Sequence, residues 1–377
     1  MFFESGMSDV EIVDAQQFDL QSFLQLSVSQ GISDIHIRIN TPPMVRRDGL
    51  IVKTKLPPIS AADMEMIISN IVPQNLKSKI NTSHEIDFSI EIPGVSRFRV
   101  NLLHDLGNVG FVLRVIPFEI PAIEKLFLPP SLLEFTKLNN GLVLITGPTG
   151  SGKSTTLSSL IDYINQNQQK HIITIEDPIE FIHSNKKCMF TQRQLGTDTG
   201  SFPDGMKYAL RQDPDIILIG EMRDRETITS ALKAAETGHL VFSTLHTNDA
   251  VQTINRIINA FEPFERESIR LQIAETLKGT VSQKLVKKAE GKGRVPATEI
   301  LFVTPATKDY ILRDEINKIY DLIKTGTHSN MMSMNLSLYR LVKANLITQE
   351  TALQASNAPN EIQQMLSGTF HGTETYE

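Results

Sequence analysis

Tryptophan is absent from the 377 residues, and cysteine occurs once, at Cys188. A single thiol excludes an intrachain disulfide framework and any cysteine-rich zinc site, which fits a reducing compartment. Positive charge is scarce as well: Lys and Arg number 37 against 43 Asp and Glu, a formal net charge of −6. That balance argues against a chain whose main task is to grip nucleic acid, and no basic strip with interleaved aromatics is evident. No apolar run approaches the roughly 20 residues that span a bilayer. Residues 1–14 alternate acids with apolar side chains and lack a basic stretch before a hydrophobic block, so they do not read as a secretory signal. Attachment to a membrane is therefore expected only through a partner. There is no low-complexity tract or internal repeat, and the Ser/Thr/Gly-containing tail after Leu366 reads as loose.

What remains is ordinary for a soluble globular protein, 40% hydrophobic and 21% charged, and long enough for two domains with separate cores. Residues 18–29 carry Leu20, Phe23, Leu24 and Val28 at helical spacing. Strict alternation follows in Ser33-Asp34-Ile35-His36-Ile37-Arg38-Ile39, and Thr41-Pro42-Pro43 breaks it. Further alternating strands are predicted at 86–90 and 97–101, with a Pro93-Gly94 turn between them, and at 110–116. Together these predict a small α+β domain over 1–117. Prolines 117, 121, 129 and 130 mark 118–130 as a linker.

From Gly141 the pattern changes. Leu142-Val143-Leu144-Ile145 is a continuous apolar run, as a strand covered on both faces requires. Similar runs recur at 172–175, 216–219 and 240–243, with helical stretches between. The alternation predicts a three-layer α/β domain with a parallel sheet over 131–300. After Asn248 the pattern reads as wholly helical through Leu366, including a helical C-terminal region over 301–377.

Gly147-Pro148-Thr149-Gly150-Ser151-Gly152-Lys153-Ser154 satisfies the Walker A pattern, directly after an apolar strand and opening a helix that includes Thr155. Glycines let backbone N–H groups converge on phosphate without Cβ interference, and the helix N-terminus adds a favourable dipole. Lys153 is placed to reach the β- and γ-phosphates of ATP, and the Ser154 hydroxyl to ligate Mg²⁺. A second cluster, Ile216-Ile217-Leu218-Ile219-Gly220-Glu221, ends an apolar strand on an acid. Glu221 is the candidate to polarise the attacking water, a role worth roughly 10²–10⁴-fold in rate. Gly220 stands where many P-loop ATPases have a metal-shell aspartate, so Glu176, Asp177 and Glu180, at the end of the 172–175 strand, are the alternative acids. Asp177 before Pro178 also reads as a turn starter, and Glu180 as a solvated charge. His239 and His246 bracket the 240–243 strand and are candidate γ-phosphate sensors; no carboxylate or cysteine around them completes a zinc spacing.

Four blocks stand in one order: residues 147–154, Ile175-Glu176-Asp177-Pro178-Ile179-Glu180-Phe181, residues 210–224 and residues 238–248. This order resembles the secretion ATPase superfamily, with its Walker A, Asp box, atypical Walker B and His box. Leu210-Arg211-Gln212-Asp213-Pro214-Asp215 and Gly220-Glu221-Met222-Arg223-Asp224 are similar to that family almost letter for letter. Ser33-Asp34-Ile35-His36-Ile37 and Arg97-Phe98-Arg99-Val100-Asn101 resemble its first domain. The chain looks like the retraction type of type IV pilus ATPase (the PilT/PilU type), since it shows neither the extra N-terminal domain nor the four-cysteine insert of assembly ATPases. It departs after Thr304-Pro305, where Ala306-Thr307-Lys308-Asp309-Tyr310-Ile311-Leu312-Arg313 replaces the family's Ala-Ile-Arg-Asn-Leu-Ile-Arg-Glu. Principal motor and accessory paralogue both stay open on that ground.

The resemblance implies a PAS-like small domain, a RecA-like P-loop domain with a helical extension, and a homohexameric ring that hydrolyses ATP with Mg²⁺. It implies that Arg99 and Arg114 reach the phosphates, that Glu176 serves the Mg²⁺ shell partly through water, and that Glu180 joins the catalytic acids. It further implies a cytoplasmic protein peripheral to the inner membrane, acting on the cytoplasmic part of a pilus platform protein, alone or beside a paralogous ATPase. A nucleotide-binding ring partner without catalysis and a nucleic-acid translocase are the rival readings. Intact Lys153, Ser154 and Glu221 count against the first, and the charge balance against the second.

Overall fold

The computed structural model describes residues 18–47, 49–116 and 119–368. The expectations for residues 1–14 and for the tail beyond Gly368 lie outside the described residues. The chain divides into two compact units between Glu119 and Ile120.

In the first unit, helix α1 (Leu20–Ser29) begins where the Asp19 carboxylate accepts the backbone N–H groups of Gln21 and Ser22. Strands β1 (Asp34–Arg38), β2 (Met44–Arg47) and β3 (Leu50–Lys53) follow, then α2 (Ala61–Ile71), opened by a Ser60–Asp63 capping box, and the short α3 (Gln74–Lys77). Strands β4 (Glu85–Ile92), β5 (Ser96–Asp105) and β6 (Asn108–Ile116) complete an antiparallel sheet of order β3-β2-β1-β6-β5-β4. Alternation sets its two faces. Phe98, Val100 and Leu102 of β5 are buried with Leu24, Met64 and Ile67 in one core, while Arg97, Arg99 and Asn101 project from the other face. Strands β2 and β3 add to those legible from alternation; they are short and partly exposed at the sheet edge.

The second unit contains β7 (Gly141–Thr146), α4 (Lys153–Asn167), β8 (His171–Glu176), β9 (Met189–Gln194), α5 (Phe202–Ala209), β10 (Ile216–Ile219), α6 (Arg225–Glu236) and β11 (Leu240–Leu245). The chain continues through α7 (Ala250–Ile258), α8 (Arg266–Thr276), β12 (Leu277–Lys287) and β13 (Arg294–Phe302). It ends in α9 (Pro305–Leu312), α10 (Ile319–Thr325), α11 (Met334–Lys343), α12 (Gln349–Ala355) and α13 (Pro359–Ser367). The sheet order is β13-β12-β7-β11-β10-β8-β9. All neighbours are parallel except β13, which runs antiparallel to β12. β7 and β11 are buried along their whole length, as their continuous apolar runs require. One core covers α5 to α10, and a second lies between the sheet and α4, α11 and α13. Ile123, Leu132 and Phe135 are buried in that second core, and Ser159 on α4 donates to the Pro121 carbonyl at 2.7 Å.

The expectation of an all-helical chain after Asn248 is corrected by β12 and β13. Leu277-Lys278-Gly279-Thr280-Val281-Ser282-Gln283-Lys284 has no continuous apolar run, yet Thr280, Ser282 and Gln283 are buried: Ser282 and Gln283 bond to polar groups of β7, Ser151 and α4, while the Thr280 hydroxyl has no hydrogen-bond partner. Pro296 further hides β13, and it is tolerated because β13 is an edge strand.

Glu299 on β13 is buried where two helices begin. It accepts the Ala250 N–H of α7 at 2.9 Å and the Met334 N–H of α11. Burial pushes its carboxyl from the ordinary 4.5 up to about 7; Asp249 adds to this, and the two N–H groups and Lys284 oppose it. Unfolded, the group ionises near 4.5, so folding takes up a proton between 4.5 and about 7. Its contribution, up to about 3 kcal/mol, is present at low pH and is lost as pH rises through that window. Glu176 shifts in the same direction. Glu299→Gln should therefore reduce, without abolishing, the fall in melting temperature between about pH 5 and pH 8. Parallel curves for parent and variant would contradict this.

Candidate active site

Parallel pairing brings five strands together at one edge, where β7, β8, β10 and β11 end and β12 runs on. Thr146 pairs with Leu245 and with Ser282, and Ile219 pairs with Ser243 and with Ile175. Gly147, His246, Gly220, Glu176 and Gln283 each lie one residue past such a pair. Residues more than a hundred positions apart thus meet where ligands bind open α/β sheets, at the carboxyl ends of the strands.

The loop at 147–152 has little room for side chains at two of its glycines. Gly147 has φ +144°, and a Cβ there would lie 2.3 Å from the Gln283 carbonyl oxygen. Gly152 has φ +87°, and a Cβ would lie 2.8 Å from Gln283 Nε2. The loop backbone therefore packs directly on the backbone of Gln283 at Gly147 and on its side-chain amide at Gly152, a close approach that glycine permits. Pro148, Thr149 and Gly150 form its exposed rim, while Ser151 is buried with a hydroxyl that has no hydrogen-bond partner. Lys153 opens α4 and is buried; its Nζ donates to the carbonyls of Gly147 at 2.9 Å and Pro148 at 3.1 Å. Burial lowers its pKa, and the nearby charges of Glu221 and Glu180 oppose that. Ser154 and Thr155 follow, half-buried, in the first turn.

Glu221 lies just past β10, its side chain 20% exposed, with Oε2 accepting from Arg223 Nε at 2.8 Å and Oε1 3.3 Å from His246 Nε2. Gly220 is packed against β8: its N–H donates to the Ile175 carbonyl at 2.8 Å, and a Cβ would sit 3.3 Å from Glu176 Cα. A side chain there would crowd the β8 backbone. Glu176 is enclosed. It accepts from Thr174 Oγ1 at 2.7 Å and Gln192 Nε2 at 3.4 Å, and Glu180 N–H approaches it at 3.5 Å. Burial pushes its carboxyl up to about 7 against those hydrogen bonds, with Glu180 adding to the rise.

No group of three His, Cys, Asp or Glu able to hold a metal exists among the described residues. The donor set fits Mg²⁺ instead, which keeps waters and takes phosphate oxygens with one or two protein groups. Ser154, beside the cradle, is the protein group present for that.

His239 is not brought to this edge. It precedes β11 at the opposite end of the sheet, its carbonyl accepting from Gly141 and its Nδ1 3.0 Å from the Ala234 carbonyl. Only His246 of the two reaches the acids. Arg99 and Arg114 face each other directly on β5 and β6, and Asp34 is the next residue in that row, on β1. Arg114 Nε donates to Asp34 Oδ1 at 2.9 Å, and Arg46 stands 3.8 Å from the same carboxylate. Burial raises Asp34, but Arg114, Ser33 and Arg46 outweigh it and hold the carboxyl below its usual range. Two guanidinium groups, Arg114 and Arg46, share the Asp34 carboxylate, and Arg99 lies directly opposite Arg114, where like charges are destabilising. Such a row suits an external anion. The divergent stretch forms α9, with Thr307 and Ile311 buried and Asp309 paired to Arg313 at 2.9 Å.

Sequence reasoning missed Arg223, Gln283 and Thr156. Arg223 lay inside a recognised motif. The signal for Gln283 would have been a strand of small polar residues, which no apolar pattern marks.

The family described as type II/IV secretion system protein matches residues 19–362. The chain is 43% identical over 341 residues to the type IV pilus retraction ATPase PilT of Pseudomonas aeruginosa, covering 90% of this chain and 99% of that protein. It is 38% identical over 348 residues to the type IV pilus ATPase PilU of the same organism, covering 92% and 91%. A crystal structure of the pilus retraction motor PilT with bound ADP superposes with a TM-score of 0.86 at 43% identity, covering 93% of this chain and all of that one.

Proposed function

The chain belongs to the type II/IV secretion system family and is an ATPase, and from that premise we propose that its turnover powers type IV pilus retraction and twitching motility. One observation carries the chemistry: Lys153, Glu221 and His246 converge at the strand edge beside a loop too tight for side chains.

Loop N–H groups and the start of α4 hold the phosphates of ATP. Lys153, released from the carbonyls of Gly147 and Pro148, turns to the β- and γ-phosphates. Glu221, oriented by Arg223 and His246, takes a proton from the attacking water as the bond from the γ-phosphorus to the bridging oxygen breaks. Bound beside Ser154, with Glu176 reaching it through water, Mg²⁺ would neutralise charge on the transferring phosphoryl group. Glu180 adds negative potential near Lys153.

The working species is a homohexameric ring, and Arg99 and Arg114 supply positive charge to the phosphates within it. No helix among the described residues is long and apolar enough to cross a membrane. In this reading the ring works in the cytoplasm, held at the inner membrane by the cytoplasmic part of a platform protein, with or without a paralogous ATPase. The higher identity to PilT than to PilU, 43% against 38%, favours the principal motor over the accessory one.

Lys153→Ala should weaken ATP binding, whereas Glu221→Gln should bind ATP and lose roughly 10²–10⁴-fold in phosphate release. Turnover of Glu221→Gln near the parent rate would remove Glu221 from the base role. Inactive Arg114→Ala protein mixed with inactive Glu221→Gln protein should regain activity if the arginines complete a neighbour's site. Mixed rings seen by mass spectrometry with no regained activity would count against that arrangement.

A further inference from the structure

Gln283 is a buried polar side chain on β12, outside every recognised motif, and both ends of its amide are engaged. Its Nε2 donates to the Ser151 carbonyl at 2.7 Å, and its Oε1 accepts from Thr156 Oγ1 at 2.8 Å. Ser151 closes the phosphate loop, and Thr156 lies in the first turn of α4. One side chain thus ties the loop to the helix on either side of Gly152, Lys153 and Ser154. We propose that Gln283 is a positioning residue for nucleotide, holding the Ser151–Gly152 peptide in its phosphate-receiving orientation. The proposal rests on the ATPase reading and deepens it.

The physical reason lies in peptide planarity. In a trans peptide the carbonyl and the N–H point in opposite directions. Anchoring the Ser151 carbonyl on Gln283 therefore turns the Gly152 N–H away from β12. Gly152 sits at φ +87°, where a peptide can rotate more freely than at other residues, so the loop needs an outside anchor to keep one orientation. β12 is held on both sides: it pairs with β7 as far as Ser282 and with β13 from Gly279 to Lys287, Gln283 included. The neighbouring side chains on β12 are engaged as well. Ser282 Oγ accepts from Thr146 Oγ1 at 2.8 Å, and Lys284 Nζ donates to the Ala355 carbonyl at 2.9 Å and to Asn357 Oδ1 at 2.6 Å.

Amide chemistry separates positioning from packing. Gln283→Glu has the same shape and still accepts from Thr156, but it sets a second oxygen against the Ser151 carbonyl in place of a donor. Gln283→Ala loses both bonds. Thr156→Val removes only the helix bond and leaves the loop anchor. The full-length chain would be titrated with methylanthraniloyl-ADP and Mg²⁺ by fluorescence, with phosphate release at saturating ATP measured alongside. Gln283→Glu and Gln283→Ala should each raise Kd by about tenfold while turnover at saturation stays within about threefold, and Thr156→Val should raise Kd by less than about threefold. If Gln283→Ala fails to fold, the isosteric Gln283→Glu decides alone. Parent-like affinity in Gln283→Glu overturns the proposal, as does a loss in Thr156→Val equal to the loss in Gln283→Glu. A parent chain that binds no nucleotide overturns the ATPase reading, and this proposal with it.

Discussion

Gly147 and the carbonyl of Gln283 approach so closely that no Cβ fits between them. That contact depends on β12 pairing in parallel with β7 and running on beyond it, so that Gln283 lies beside the first residue of the loop. The rest of the site follows from the same geometry. Lys153 is buried against two of the loop's carbonyls, and the Glu221 and Glu180 charges partly offset the cost of burying its ammonium. The sheet brings its own acids. With β10 and β8 paired in register and Gly220 lacking a side chain, Glu221 and Glu176 reach the same edge from different strands.

Each unit gathers positive charge locally, although the chain as a whole is acidic. In the second unit the positive group is a buried lysine between carboxylates. In the first unit Arg114 and Arg46 flank the buried carboxylate of Asp34, and Arg99 lies directly opposite Arg114. Each arrangement is costly without a ligand, because like charges are neighbours or an ammonium is desolvated. Such local frustration is expected where binding rather than folding sets the requirement.

The phosphate loop, the four buried strands and the acids at their ends were legible because each announces itself locally, by glycines, by apolar runs or by a carboxylate straight after one. The alternating strands of the first unit were legible for the same reason. β12 and β13 were not, since Ser282 and Gln283 are buried with their hydrogen bonds made to other elements, and Pro296 is admitted by its edge position. His239 misled because adjacency to a strand does not say which end of the sheet is functional; a six-residue strand separates its ends by about 20 Å. The alignment of Arg99, Arg114 and Asp34 in one row depends on strand register, which pattern alone does not specify.

Linking the nucleotide site to movement is the central claim, and a deletion strain of the source organism tests it most directly. The strain would be complemented with the parent chain or with Glu221→Gln, then scored for surface pili and twitching. The expected result is excess surface pili with lost twitching, restored by the parent and not by Glu221→Gln. Normal pilus numbers and normal twitching in the deletion strain, or full restoration by Glu221→Gln, would contradict it.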